Sequence, residues 1–92
     1  MILSHKNLIN LPVETKSGQP LGVVSHFDIE VDEQRINRYY VKSRSLISGL
    51  LNKELIISAE QVISIGQDKM VVEDSVGKET KIAEENIAPV ST

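Results

Sequence analysis

Between residues 21 and 32 the chain alternates apolar and polar side chains with a period of two. Leu21, Val23, Phe27, Ile29 and Val31 hold five of the six odd positions, Ser25 the sixth. The even positions carry Gly22, Val24, His26, Asp28, Glu30 and Asp32. A helix repeats every 3.6 residues and would set Asp28 and Asp32 beside Val24 and Val31. A half-buried β-strand with its odd face inward is the regular structure that sorts these side chains.

Shorter segments of the same kind flank it. Residues 11–16 read as a strand, and Ser17-Gly18-Gln19-Pro20 supplies turn chemistry, with Gly18 free to take positive φ and Pro20 fixing its own. Asp32-Glu33-Gln34 punctuates the far end, and residues 35–43 return as a strand carrying Ile36, Tyr39 and Val41. The three-residue step from Ile36 to Tyr39 breaks alternation, and a bulge there would restore it. Residues 54–58 and 61–65 are two apolar β-rich runs joined at Ala59-Glu60. After Gly66-Gln67-Asp68 comes a strand over 69–74 with Met70 and Val72 inward; 75–78 reads as a turn and 79–83 as a last short strand. Residues 45–52 differ: Leu46, Ile47, Leu50 and Leu51, interrupted by Gly49, predict a short helical turn or a folded loop.

Short strands punctuated by glycine turns predict an all-β protein of about six strands, and closure into a barrel removes the edges that a 92-residue sandwich would struggle to hide. One domain over 1–92 is expected, with its core in about 8–83 and a partly flexible tail over 84–92, where Ile87 is placed to dock. Phe27, Tyr39 and Tyr40 are the only aromatics, so Val, Ile and Leu must build the core. A domain this small has modest stability, and a partner copy would add to it.

Two blocks resemble a known family. Leu11-Pro12-Val13 through Gly18-Gln19-Pro20-Leu21-Gly22-Val23-Val24 is similar to the opening of a PRC-barrel domain, where a turn glycine precedes a Leu-Gly-x-Val strand start. Residues 55–72, from Leu55-Ile56-Ile57-Ser58-Ala59-Glu60 through Gly66 to Val72, resemble that family's later strands more closely. The likeness runs from about residue 11 to residue 74, with Ser58 standing where a proline is expected. It implies a small barrel of about six strands that works as a non-enzymatic protein-binding module. The family's settings include the cytoplasmic part of the photosynthetic reaction-centre H subunit and the C-terminal half of the ribosome-maturation factor RimM. The first has a membrane helix and the second a partner domain that this sequence lacks, so neither specific role carries over.

Little in the chain reads as catalytic chemistry. There is no cysteine, hence no disulfide, thiolate metal site or thiol nucleophile. His26 and Asp28 share one strand face and would suit a ligand pair or a base with its orienter, but a solvated polar face is the expected account. Asp28-x-Glu30-x-Asp32 has part of a calcium-loop spacing without its glycine or distal glutamate. Gly18 and Gly22 lack the Lys-Ser or Lys-Thr of a phosphate loop; turn conformation and close backbone approach are their expected roles. No enzyme activity and no cofactor are expected. The sequence also has no basic-then-apolar leader and no apolar run near the ~20 residues that span a bilayer, so a cytoplasmic location is expected.

Charge is segregated. Arg35, Arg38, Lys42, Arg44 and Lys53 lie in a stretch without a single acid, while the remaining residues hold five bases against thirteen acids. The basic stretch could pair with acidic strands inside the barrel, which is favoured, or steer an acidic partner, lipid or RNA. Arg35, Arg38, Lys42 and Arg44, with Leu46, Ile47 and Leu50, form the expected interaction surface, of a homodimer or a protein adaptor. An RNA- or ribosome-associated maturation factor using 35–53 is the alternative. Of Tyr39 and Tyr40, one is expected to face the core.

Overall fold

The computed structural model describes residues 1–43 and 54–79. Six strands, β1 (Pro12–Thr15), β2 (Pro20–Glu30), β3 (Arg35–Lys42), β4 (Glu54–Ser58), β5 (Val62–Ile65) and β6 (Met70–Val72), are flanked by two short helices, α1 (His5–Leu8) and α2 (Asp74–Glu79). They form one mixed sheet in the order β4-β3-β2-β1-β6-β5. All neighbours are antiparallel except β1 and β6, which run parallel with Val13 opposite Met70.

The two ends of that order are consecutive in the chain. A single 3₁₀ turn, Ala59–Gln61, joins β4 to β5. Four residues span at most ~14 Å, from ~3.3–3.6 Å per extended residue. In a flat sheet of six strands the outer two would stand ~24 Å apart at ~4.8 Å per strand. The sheet must therefore curl until its ends meet at this corner, giving a small PRC-barrel-like β-barrel. Ser58 holds the corner: its N–H and hydroxyl donate to Gln61 Oε1 at 3.0 and 3.2 Å. Its φ of −75° is one that proline also adopts, but the N–H it donates to Gln61 is one that the proline expected here would lack.

Side chains from both helices and from β1, β2, β3, β4 and β6 fill the inside: Leu8, Leu11, Val13, Val24, Tyr39, Val41, Ile57, Met70, Val72 and Val76, with Val62 and Ile65 of β5 packed against them. Thr15 is the one buried polar residue among those described, and its hydroxyl accepts the Gln19 N–H at 3.0 Å. The turn after β1 is tied to α2, because Asp74 Oδ1 accepts both the N–H and the hydroxyl of Ser17.

Several expectations change. The alternation of β2 does not run unbroken: the β2–β3 register slips at Ser25, so Val24, an even residue, points into the core and is fully buried. Further along, Ile29 is 57% and Val31 76% exposed, although the pattern predicted them buried; they lie where the β2–β3 hairpin outruns its neighbours. The second slip in the same ladder leaves Asn37 as the extra residue of β3, which is the bulge that the Ile36-to-Tyr39 step required. Residues 75–78 are not a turn but part of α2, and Glu79 ends that helix rather than starting a strand. Gln61 belongs to the 3₁₀ turn, and α1 was not foreseen. The helical turn expected over 45–52, residues 80–83 of the expected last strand and the tail 84–92 lie outside the described residues.

Candidate functional site

Residues directly opposite one another in a ladder share a face. On the outside of β2–β3–β4 the register sets Arg35 opposite Glu30, Arg38 opposite both Asp28 and Ser58, Tyr40 opposite His26 and Ile56, and Lys42 opposite Glu54. The Asn37 bulge makes this row possible: Arg35 and Arg38 are three apart, and without the extra residue they would point to opposite faces. The other face of the same strands, with Tyr39, Val41 and Ile57, is the core.

Contacts hold this outer face in one arrangement. Tyr40 stacks on His26 with ring centroids 4.2 Å apart and an interplanar angle of 17°. Its hydroxyl donates to Asp28 Oδ2 at 2.8 Å, and Arg38 Nε lies 3.5 Å from that oxygen. Ser25, at the β2 bulge, reaches sideways: its hydroxyl is 2.8 Å from Glu54 Oε2, 3.0 Å from the Tyr40 carbonyl and 3.2 Å from His26 Nδ1. His26 Nδ1 is 3.6 Å from Glu54 Oε2. Arg35 turns to its chain neighbour Glu33, Nε to Oε1 at 3.0 Å. Exposed pairs of this kind contribute only about 0–1 kcal/mol each; their consequence here is order rather than stability. Beside Arg38 the face dips into a groove of about 320 Å³ lined by Asn37, Arg38, Ile56, Ser58 and Gln61.

His26 and Asp28 thus take different partners and do not face each other as a base and its orienter. Both side chains are about half exposed to solvent. Among the described residues no group of three or more His, Asp or Glu stands where it could hold a metal ion. Gly18 and Gly22 take φ of +98° and +143°, the turn and close-approach roles expected of them.

Of the expected interaction surface, Arg35, Arg38 and Lys42 share this outer face. Arg44, Leu46, Ile47 and Leu50 lie outside the described residues. Reasoning from sequence missed Ser25, Tyr40 and Glu54 as members of the site. Cross-strand register is the signal that unites them, and a single strand's pattern does not carry it. Tyr39 is the tyrosine that faces the core, at 5% exposure.

Both tyrosines ionise above their ordinary range. Burial raises Tyr39. Tyr40 is raised first by its hydrogen bond to Asp28, then by burial and by the Asp28 charge, with Arg38 pulling the other way. A pKa raised in the fold means that the protonated phenols favour the folded state; that contribution is complete below the ordinary value of 10.0 and is lost as pH rises through the folded pKa values. Thermal melts should therefore hold as pH approaches 10 and fall beyond it, with tyrosinate absorbance in the folded protein rising later than in the urea-unfolded chain. Coincident absorbance titrations would contradict this assignment.

The fold defines a small barrel-like curled sheet of six strands, with an interconnected polar face on its outside. The family model for the PRC-barrel domain matches residues 2–78, and the chain belongs to the PRC-barrel family. Domains of this family are generally non-catalytic protein-interaction modules. No curated protein matches the sequence significantly. Among the described residues, no helix is long and apolar enough to cross a membrane.

Proposed function

We propose that this chain is a cytoplasmic, homo-oligomeric adaptor that binds a partner protein through the outer face of β2–β3–β4. One observation carries the reading: the bases of β3 stand between acids. Asp28 and Glu30 flank Arg38 and Arg35 on one side, and Glu54 flanks Lys42 on the other. A phosphate backbone laid along this row would meet those carboxylates at every step, which weakens the counterion-release term that drives RNA binding. A protein surface of mixed charge can match the mosaic. Tyr and Arg are enriched among the residues that dominate protein interfaces, and Tyr40 and Arg38 are already held by neighbours, so little side-chain freedom is lost on binding. The groove beside Arg38 offers room for a partner side chain.

The run of bases in 35–53 keeps the RNA reading open as a second one, and salt separates the two. Mobility-shift titration against structured and single-stranded RNA should give no saturable complex at physiological ionic strength. Tight binding that falls steeply with salt and is abolished by Arg38→Glu would overturn the protein-adaptor reading in favour of RNA.

A further inference from the structure

On the β4 side of Arg38 the outer face opens into the groove lined by Asn37, Arg38, Ile56, Ser58 and Gln61. Its free polar groups are mainly donors, and the corner is one reason. The Ser58 N–H and hydroxyl both donate to Gln61 Oε1, at 3.0 and 3.2 Å, which fills that oxygen and leaves the Nε2 hydrogens as the amide's free group. Arg38 is engaged from its other side. β3 lies between β2 and β4, and Asp28 of β2 meets Arg38 Nε at 3.5 Å through an oxygen that the Tyr40 hydroxyl already binds at 2.8 Å. A guanidinium carries several more N–H donors, and among the described residues no acceptor in the groove binds those of Arg38. Asn37, the extra residue of β3, adds an exposed amide. Among the described residues no carboxylate lines the groove; Glu60, in the neighbouring 3₁₀ turn, stands outside it, and Ile56 gives it an apolar surface.

We propose that this groove binds a side-chain carboxylate, an aspartate or glutamate in an acidic segment of the partner protein, with an adjacent apolar residue of that segment on Ile56. This rests on the adaptor reading and names the chemistry its partner presents. An ionised carboxylate only accepts hydrogen bonds, so it can use the N–H donors of Arg38 and Gln61 together. One positive charge lines the groove, which matches one negative charge. A phosphate carries close to two, and Asp28 behind Arg38 would oppose the excess. At about 320 Å³ the groove lies at the small end of ligand pockets, about 300–1,000 Å³, which suits a side chain or two rather than a cofactor.

The probe is a tripeptide, acetylated and amidated, with glutamate between two leucines. Titrated at millimolar concentration into the isotope-labelled full chain, it should saturably shift the NMR signals of the Arg38 Nε–H, the Gln61 amide and the Ile56 methyls. The same peptide with glutamine should not. Gln61→Glu separates the donor from the corner, because a glutamate there still accepts from Ser58 yet turns the free donor into an acceptor. It should weaken the glutamate peptide about tenfold or more, as should Arg38→Gln, with circular dichroism and melting unchanged. A phosphoserine peptide that binds more tightly than the glutamate peptide, or a glutamate peptide indifferent to both variants, would overturn the carboxylate site. Equal or absent shifts with the glutamate and glutamine peptides would overturn it too. Capture of a protein by a photoreactive residue at Tyr40 would then leave the adaptor reading standing, and failure of that capture would remove both.

Discussion

Gly22→Ala is expected to destabilise the barrel by about 3 kcal/mol or more, combining ~1–3 kcal/mol of backbone strain with ~1–3 kcal/mol of overpacking. Gly22 sits at φ +143°, and a Cβ built there would lie 2.1 Å from the Lys42 carbonyl oxygen and 2.8 Å from its carbon. The obstacle is the backbone of β3, which no rotamer change relieves. Gly22 also lies at a register slip, because Val13 pairs with Gly22 while Glu14 pairs with Pro20, leaving Leu21 as the extra residue. β2 passes here from its pairing with β1 to its pairing with β3, a corner where a barrel needs backbone to approach backbone. Gly18 provides the control. Its φ is +98°, but a Cβ at this position would meet nothing within 4 Å, so Gly18→Ala should cost only the ~1–2 kcal/mol of a left-handed residue. Urea unfolding followed by circular dichroism reads both, and equal losses at the two positions would contradict the close-approach argument.

Ile57→Ala should cost about 2–5 kcal/mol, the range for deleting a large apolar side chain from a close-packed interior. Ile57 is fully buried in the centre of β4, opposite Tyr39. Small domains have only about 5–15 kcal/mol of stability in total, so this loss should bring a large drop in melting temperature. Ile63→Ala is the matched comparison. Ile63 is an isoleucine of the neighbouring β5, 45% exposed at a slip in the β5–β6 register, and its loss should cost well under half as much. Similar losses at the two sites would mean that the inside of the barrel is not where the packing places it.

Much of this fold is written in local pattern. Alternation named β2, and the broken step from Ile36 to Tyr39 named the Asn37 bulge from spacing alone. The bulge at Ser25 left no such mark, since a serine is neutral on either face and Val24 read as a stray apolar residue on the polar side. The parallel pairing of β1 with β6 joins residues more than fifty apart, and no local signal carries that. α2 was hidden by Gly77, which suggests a turn, yet its Val76 is drawn into the core. α1 has only four residues, too short for a helical period to show. The candidate site divides the same way. The bases of β3 were visible as a run without acids, and internal pairing with acidic strands was the favoured account. That His26, Tyr40 and Glu54 meet beside Arg38 depends on the register of three strands, which only the folded chain reveals.

Site-directed photo-crosslinking in the native cell tests the adaptor reading most directly. A photoreactive residue placed at Tyr40 should capture a discrete protein adduct, while the same residue at Asp68, in the β5–β6 turn, should not. An adduct of RNA at position 40, or equal protein capture at both positions, would contradict the assignment of the β2–β3–β4 outer face as the recognition surface.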